Sequence, residues 1–128
     1  MSHFSRIKTQ MVEQEYLVQA LKDSGYTCEI GENLKIHGYG GQQMYVQIKI
    51  PAKFLSHDIG FRKAGKAYEC VADWYGIRRV NQQQFLQQVT QRYAYHATRS
   101  KLEEQGFSVI SEETEEGNRI HLQFRRMV

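Results

Sequence analysis

The sequence predicts an α+β domain, a mainly antiparallel sheet with two amphipathic helices packed on one of its faces. Two stretches with helical apolar spacing each end at a glycine, Gly25 and Gly106. Around them lie segments in which apolar and polar residues alternate, the pattern of half-buried strands. Glycine-containing or polar turns separate those segments at hairpin lengths. Two helical stripes and seven or eight such strands imply one sheet with both helices on the same side.

Residues 3–9 read as extended, and Thr9 is placed to cap a helix by accepting a hydrogen bond from a free backbone N–H. Helix one is expected over 10–24, with Val12, Tyr16, Leu17, Ala20 and Leu21 on one face. Gly25 supplies the left-handed residue that ends it. Two short strands follow, Tyr26–Ile30 and Leu34–His37, joined by a Gly31-Glu32-Asn33 turn, and then a flexible break at Gly38-Tyr39-Gly40-Gly41. From Met44 to Ile50 the alternation is clean, with Met44, Val46, Ile48 and Ile50 on one face and Tyr45, Gln47 and Lys49 on the other. Pro51 closes that strand. A loop of about eight residues leads to a hairpin of Ile59–Lys63 and Lys66–Trp74, turning at Ala64-Gly65.

Asn81 is set to cap the second helix, with Gln84 in the capping-box position. Its stripe is Phe85, Leu86, Val89, Tyr93, His96, Ala97 and Leu102, and at about 24 residues it would span roughly 36 Å. Strands Phe107–Ser111 and Arg119–Arg125 finish the chain across a polar turn, 112–118. The run from Ala20 to Tyr26 matches that from Lys101 to Phe107 in pattern, and each precedes a hairpin carrying Ile-His, at Ile36-His37 and Ile120-His121. An internal duplication of a strand–helix–hairpin unit is one reading of this match, and chance recurrence of helix–glycine–strand junctions is the other.

The 128 residues fit one domain, taken as 1–128. Hydrophobic residues make up 41% and charged residues 24%, a globular rather than a disordered balance. No apolar run approaches the length of a membrane span, and no signal segment opens the chain, so it is expected to stay where it is made. The net charge of +3 falls short of the strongly basic balance of dedicated nucleic-acid binders. Cys28 and Cys70 lack zinc-ligand spacing, and both are expected to be buried, reduced thiols in a reducing compartment.

Particular stretches carry a family resemblance: Ser2 to Gln10, Leu17 through Ala20-Leu21 to Gly25-Tyr26, Asp58-Ile59-Gly60-Phe61, Gln91 to His96, and Gln105-Gly106-Phe107. Together they resemble the family called hypothetical chloroplast reading frame thirty-five, over nearly the whole chain. The resemblance implies a photosynthetic source and a cytoplasmic (cyanobacterial) or plastid-stromal location. It implies no activity and brings no catalytic residues, cofactor or metal ligands.

Three sites stand out from the residues themselves. The Gly38–Gly41 loop, with His37 before it and Asp73 elsewhere in the chain, could aim backbone N–H groups at a phosphate, although it lacks the strand-to-helix setting and the lysine of a nucleotide loop. Five histidines include His96 beside Tyr93 and Tyr95, and the pair His37 and His121, which would meet only if the sheet brought their strands together. None has HxxxH, HxH or HxxE spacing, so neither metal nor cofactor is expected. The acids concentrate in solvated runs such as Glu112-Glu113, leaving Asp58 and Asp73 as isolated carboxylates and giving no catalytic pair. Finally, alternation turns Tyr45, Gln47 and Lys49 outward on one strand and Arg119, His121, Gln123 and Arg125 on another. If the two strands lie near each other, they form one basic, partly aromatic sheet face. That face makes a non-enzymatic protein-binding role the leading expectation. A small enzyme or ligand-binding domain using the glycine loop, and a single-stranded nucleic-acid binder using the basic strands, are the alternatives.

Overall fold

The computed structural model describes residues 4–54, 57–114 and 119–126. Its elements run β1 (Ser5–Lys8), α1 (Gln14–Asp23), β2 (Glu29–His37), β3 (Gln43–Ile50), β4 (Ile59–Ala64), β5 (Ala67–Ala72), α2 (Gln82–Glu104), β6 (Phe107–Thr114) and β7 (Ile120–Arg126). Every pairing is antiparallel. The two helices and the antiparallel strands make the α+β class expected from the sequence. Among the described residues no helix is long and apolar enough to cross a membrane.

The strands form two sheets, not one. Five of them order as β1-β5-β4-β3-β2, while β6 and β7 make a separate ribbon. The 23 residues of α2 run roughly 35 Å, and the ribbon lies beside this helix.

Both helices cover the same face of the five-stranded sheet. Leu17, Ala20 and Leu21 of α1 and Phe85 and Val89 of α2 meet Ile48, Ile59, Phe61, Cys70 and Ala72 in one buried core. Phe85 is its aromatic centre, with the rings of Tyr26, Trp74 and Phe61 at 5.2, 5.8 and 6.3 Å. The opposite face is not simply solvated. Val71 points away from Cys70 and Ala72, as strand alternation requires, yet it is fully buried with Ile36 and Val46.

The β2–β3 hairpin provides that cover. The register passes from Ile30↔Ile48 to Leu34↔Val46, so Gly31, Glu32 and Asn33 bulge opposite the single Gln47. There the Gln47 side chain replaces ladder contacts on both sides: Nε2 donates to the Glu32 carbonyl at 3.0 Å, and Oε1 accepts from the Lys63 N–H at 2.7 Å. A bulge bends its strand, and the far half of the hairpin lies back across the sheet. Val46 rests directly on Gly60, where a Cβ would come within 2.6 Å of Val46 Cγ1.

Several expected boundaries move for identifiable reasons. The supposed turn at Gly31-Glu32-Asn33 is this bulge inside a continuous β2, and Val46 joins the reverse-face cluster while Ile48 and Ile50 join the main core. Helix α1 begins at Gln14, so Val12 lies outside it and is exposed. Thr9 caps no helix: its hydroxyl donates to the Tyr68 carbonyl at 2.6 Å and accepts from Met11 N–H at 3.1 Å, closing a bend. The amides of Val12 and Glu13 ahead of α1 are taken by the Tyr93 hydroxyl, at 3.0 and 2.9 Å. Strand β5 stops at Ala72, and Trp74–Gly76 form a short 3₁₀ turn. Asn81 does cap α2, accepting from Gln84 N–H at 3.0 Å. Strand β6 runs on to Thr114, and the rest of the expected turn, 115–118, lies outside the described residues, as does His3.

The repeated pattern survives in outline. In both halves a helix ends at a left-handed glycine, Gly25 (φ 91°) or Gly106 (φ 89°), and a bulged strand and its antiparallel partner follow. The Ile-His pairs are not equivalent, since Ile36-His37 closes the first strand of its hairpin and Ile120-His121 opens the second. Both cysteines are free, but only Cys70 is buried; Cys28 is half-buried. Burial pushes the Cys70 thiol far up, away from the reactive thiolate.

Candidate functional site

Two regions hold the residues singled out from the sequence. The first is the end of the sheet where the β2–β3, β3–β4 and β5–α2 loops meet. Asp58 and Asp73, the isolated carboxylates, are both buried there, and both are engaged by backbone. Asp58 accepts from His37 N–H at 2.8 Å and Ala52 N–H at 2.9 Å, with the exposed His37 ring 3.5 Å away. Asp73 accepts from Tyr39 N–H at 3.0 Å through Oδ2, while its other oxygen, Oδ1, is buried without a partner among the described residues. Gly38 fits between the Phe4 ring and Asp73, where a Cβ would meet them at 3.0 and 3.4 Å.

Four of the six amides from His37 to Gln42 are engaged within the protein. Gly38 N–H is bonded to Gln42 O at 2.9 Å and Gln42 N–H to Tyr39 O at 3.4 Å, while the amides of His37 and Tyr39 go to carboxylates. These four paired amides, two of them held by buried anions, are not available to a phosphate. Gly40 (φ 68°) and Gly41 (φ 79°) instead supply left-handed backbone for a tight loop between β2 and β3.

The second region is the ribbon. Arg119, His121, Gln123 and Arg125 are exposed, as alternation predicts, and Ile120, Leu122 and Phe124 are half-buried towards α2. Tyr45 and Lys49 belong to the other sheet. Tyr45 is exposed beside Lys35, whose ammonium lies 5.7 Å from its ring, and half-buried Lys49 pairs with Glu29 and Gly60. The two rows therefore do not make one face, and His37 and His121 sit in different sheets. Among the described residues no three His, Cys, Asp or Glu side chains converge as metal ligands would.

What sequence reasoning missed is the space beneath the ribbon. A groove of about 680 Å³ runs between β7 and the second half of α2, lined by Gln91, Ala94, Tyr95 and Thr98 on one side and Ile120, Leu122 and Phe124 on the other, with Arg119 and His121 also lining it. None of the ribbon's apolar residues joins either core cluster. The signal available in the sequence was the apolar row Ile120, Leu122 and Phe124, which alternation turns to one side of its strand.

A polar seam holds α2 to α1 and so fixes the wall of this groove. Asp23 Oδ2 accepts from Arg92 at 2.8 and 2.9 Å and meets His96 Nε2 at 2.6 Å. Partial burial pushes the Asp23 carboxyl up, but the hydrogen bonds and charges of His96 and Arg92 outweigh it and hold it below its ordinary 3.8. The Arg92 guanidinium also covers the Tyr95 ring at 4.2 Å, and the Tyr16 hydroxyl donates to Ser100 Oγ at 2.8 Å.

Comparison with known proteins agrees with the resemblance read from the sequence. The family model described as "Protein of unknown function (DUF1257)" matches residues 20–123. The chain belongs to this family. It is 35% identical to the "Uncharacterized protein ycf35" of Guillardia theta, 33% to that of Cyanophora paradoxa and 30% to that of Pyropia yezoensis, each alignment covering 98% of both chains. No solved structure matches it. Two of the stretches that carry the family resemblance hold contacts that build these regions. Asp58 to Phe61 contains the loop-pinning carboxylate and the glycine under Val46, and Gln91 to His96 contains the seam residues Arg92, Tyr93, Tyr95 and His96.

Proposed function

We propose that this DUF1257 protein is a non-enzymatic binding protein whose docking element is the C-terminal ribbon, with an acidic, extended segment of another protein as its occupant. The observation that carries this reading is the groove between β7 and α2: an apolar side left half-covered, next to the basic residues Arg119 and Arg125 of the ribbon. In a two-stranded sheet each strand has one edge without a ladder partner, and an extended chain can add there through main-chain hydrogen bonds. Alternate side chains of such a strand would fall into the groove beside Leu122 and Phe124, and the intervening acidic ones would meet the arginines, which bind carboxylates in a two-pronged geometry. A site of action in the plastid stroma or the cyanobacterial cytoplasm fits the algal relatives.

Titration of the labelled full chain with a short peptide alternating glutamate and valine tests this. NMR shifts are expected to concentrate on β7 and on Ala94 and Thr98, and Arg119→Ala with Arg125→Ala is expected to weaken binding by about tenfold or more. Shifts elsewhere, or unchanged affinity in the double variant, would count against the ribbon as the docking element.

A further inference from the structure

The loop end of the sheet, which shares no residue with the ribbon, carries a second surface. Tyr75 is 86% exposed and Tyr39 63%, and both are referenced to one buried residue: the Asp73 carboxylate holds Tyr39 N–H, and the Asp73 carbonyl accepts from Gly76 N–H at 3.1 Å to close the turn that carries Tyr75. The neighbouring loops are tied to the same frame. Asp58 joins His37 to Ala52, and Gly76 lies so close to the His57 ring that a Cβ would overlap it. The rings are thus displayed on backbone that is already ordered.

The charge of these loops is one-sided. Residues 37–42, 51–54 and 74–80 contain no aspartate or glutamate, but they include Lys53, Arg78, Arg79 and His37, all four exposed. Asp58 and Asp73 are buried and face inward to backbone, and the exposed Glu29 lines one pocket with Pro51 and Lys53. The apolar residues of the same loops, Trp74 and Ile77, are drawn into the main core. What faces solvent is a pair of aromatic rings among cations, without the contiguous apolar centre that a protein interface requires.

From this we infer that the Tyr39–Tyr75 end binds single-stranded nucleic acid, the tyrosines as stacking platforms for unpaired bases and Arg78, Arg79 and Lys53 as phosphate contacts. Every base presents a π-face, so two isolated rings serve without sequence-specific hydrogen bonds. Rings of this kind cannot reach bases that are stacked inside a duplex. The inference is independent of the ribbon: it uses none of the residues of the β7–α2 groove.

Fluorescence anisotropy with labelled oligo(U) and oligo(dT), against a duplex of equal length, tests it on the full chain. Single strands are expected to bind more tightly than duplex, with affinity falling as salt rises. Tyr39→Ala with Tyr75→Ala should cost about tenfold or more, whereas Tyr39→Phe with Tyr75→Phe should retain binding. Arg78→Ala with Arg79→Ala should flatten the salt dependence by roughly 0.7 in logarithmic slope for each phosphate that is no longer neutralised, and Arg119→Ala with Arg125→Ala should leave binding unchanged. Equal affinity for duplex and single strand, or a double tyrosine-to-alanine variant that binds like wild type while keeping its thermal transition, would overturn the inference. Loss of binding in the ribbon variant would also overturn it, moving the polyanion to β7.

Discussion

The five-stranded sheet and the C-terminal ribbon are written in the same alternating code but packed in different ways. In β4 and β5 the apolar residues Ile59, Phe61, Cys70 and Val71 are inaccessible to solvent, because the helices cover one face and the folded-back hairpin covers part of the other. In β7 the equivalent row of Ile120, Leu122 and Phe124 faces α2, and a groove remains between them. Alternation specifies that a strand will have an apolar side. What covers that side depends on where the rest of the chain arrives.

The sharpest way to break this comparison is to remove one phenylalanine from each region. Phe85→Ala should cost about 3–5 kcal/mol, since three aromatic rings close around it, and Phe124→Ala only about 1 kcal/mol. Equal losses in urea denaturation would mean the ribbon is part of the core. A step smaller is Gly60→Ala, expected to cost about 1–3 kcal/mol by forcing Val46 off the sheet; an unchanged midpoint would show that the hairpin does not need to lie back on the reverse face.

Asp73→Ala tests the loop end, with an expected loss of about 1–3 kcal/mol because the Tyr39 amide loses its acceptor. Heteronuclear NMR of the variant should show the change confined to residues near Tyr39 and the turn at Tyr75, with β6 and β7 unmoved. Hydrogen exchange sharpens the regional contrast directly: amides of β4 and β5 should exchange at least about tenfold more slowly than those of β6 and β7, and equal protection would argue for one cooperative unit.

The smallest effect is at the seam. Asp23 titrates in the folded chain below its ordinary value, so its contribution is fully present above the unfolded pKa and is lost as pH falls through the lower folded one. The group is partly exposed, which limits the contribution to about 1 kcal/mol or less. Asp23→Asn should therefore flatten the acid limb of a stability-against-pH curve without altering stability by more than this at neutral pH.

Local signals in the sequence were sufficient for much of the architecture. The two glycine-ended stripes located both helices, Asn81 its cap, and the Met44–Ile50 alternation the most regular strand, because each depends on neighbours a few residues away. The outward turn of Tyr45 and of Arg119, His121 and Arg125 was also legible, since alternation alone produces it, whereas Lys49 is half-buried. That the two rows belong to different sheets was not legible, because strand order is set by pairings between residues far apart in the chain. Nor could the sequence show that Gly31-Glu32-Asn33 is a bulge, since its turn-like composition acts only where no longer partner strand competes, and β3 is that partner. Asp58 and Asp73 drew notice as isolated acids, but their role as anchors for a glycine loop arises from hydrogen bonds between residues 21 and 34 positions apart. Such pairings are chosen by the tertiary structure, because only the folded chain brings a buried carboxylate to the amides that satisfy it.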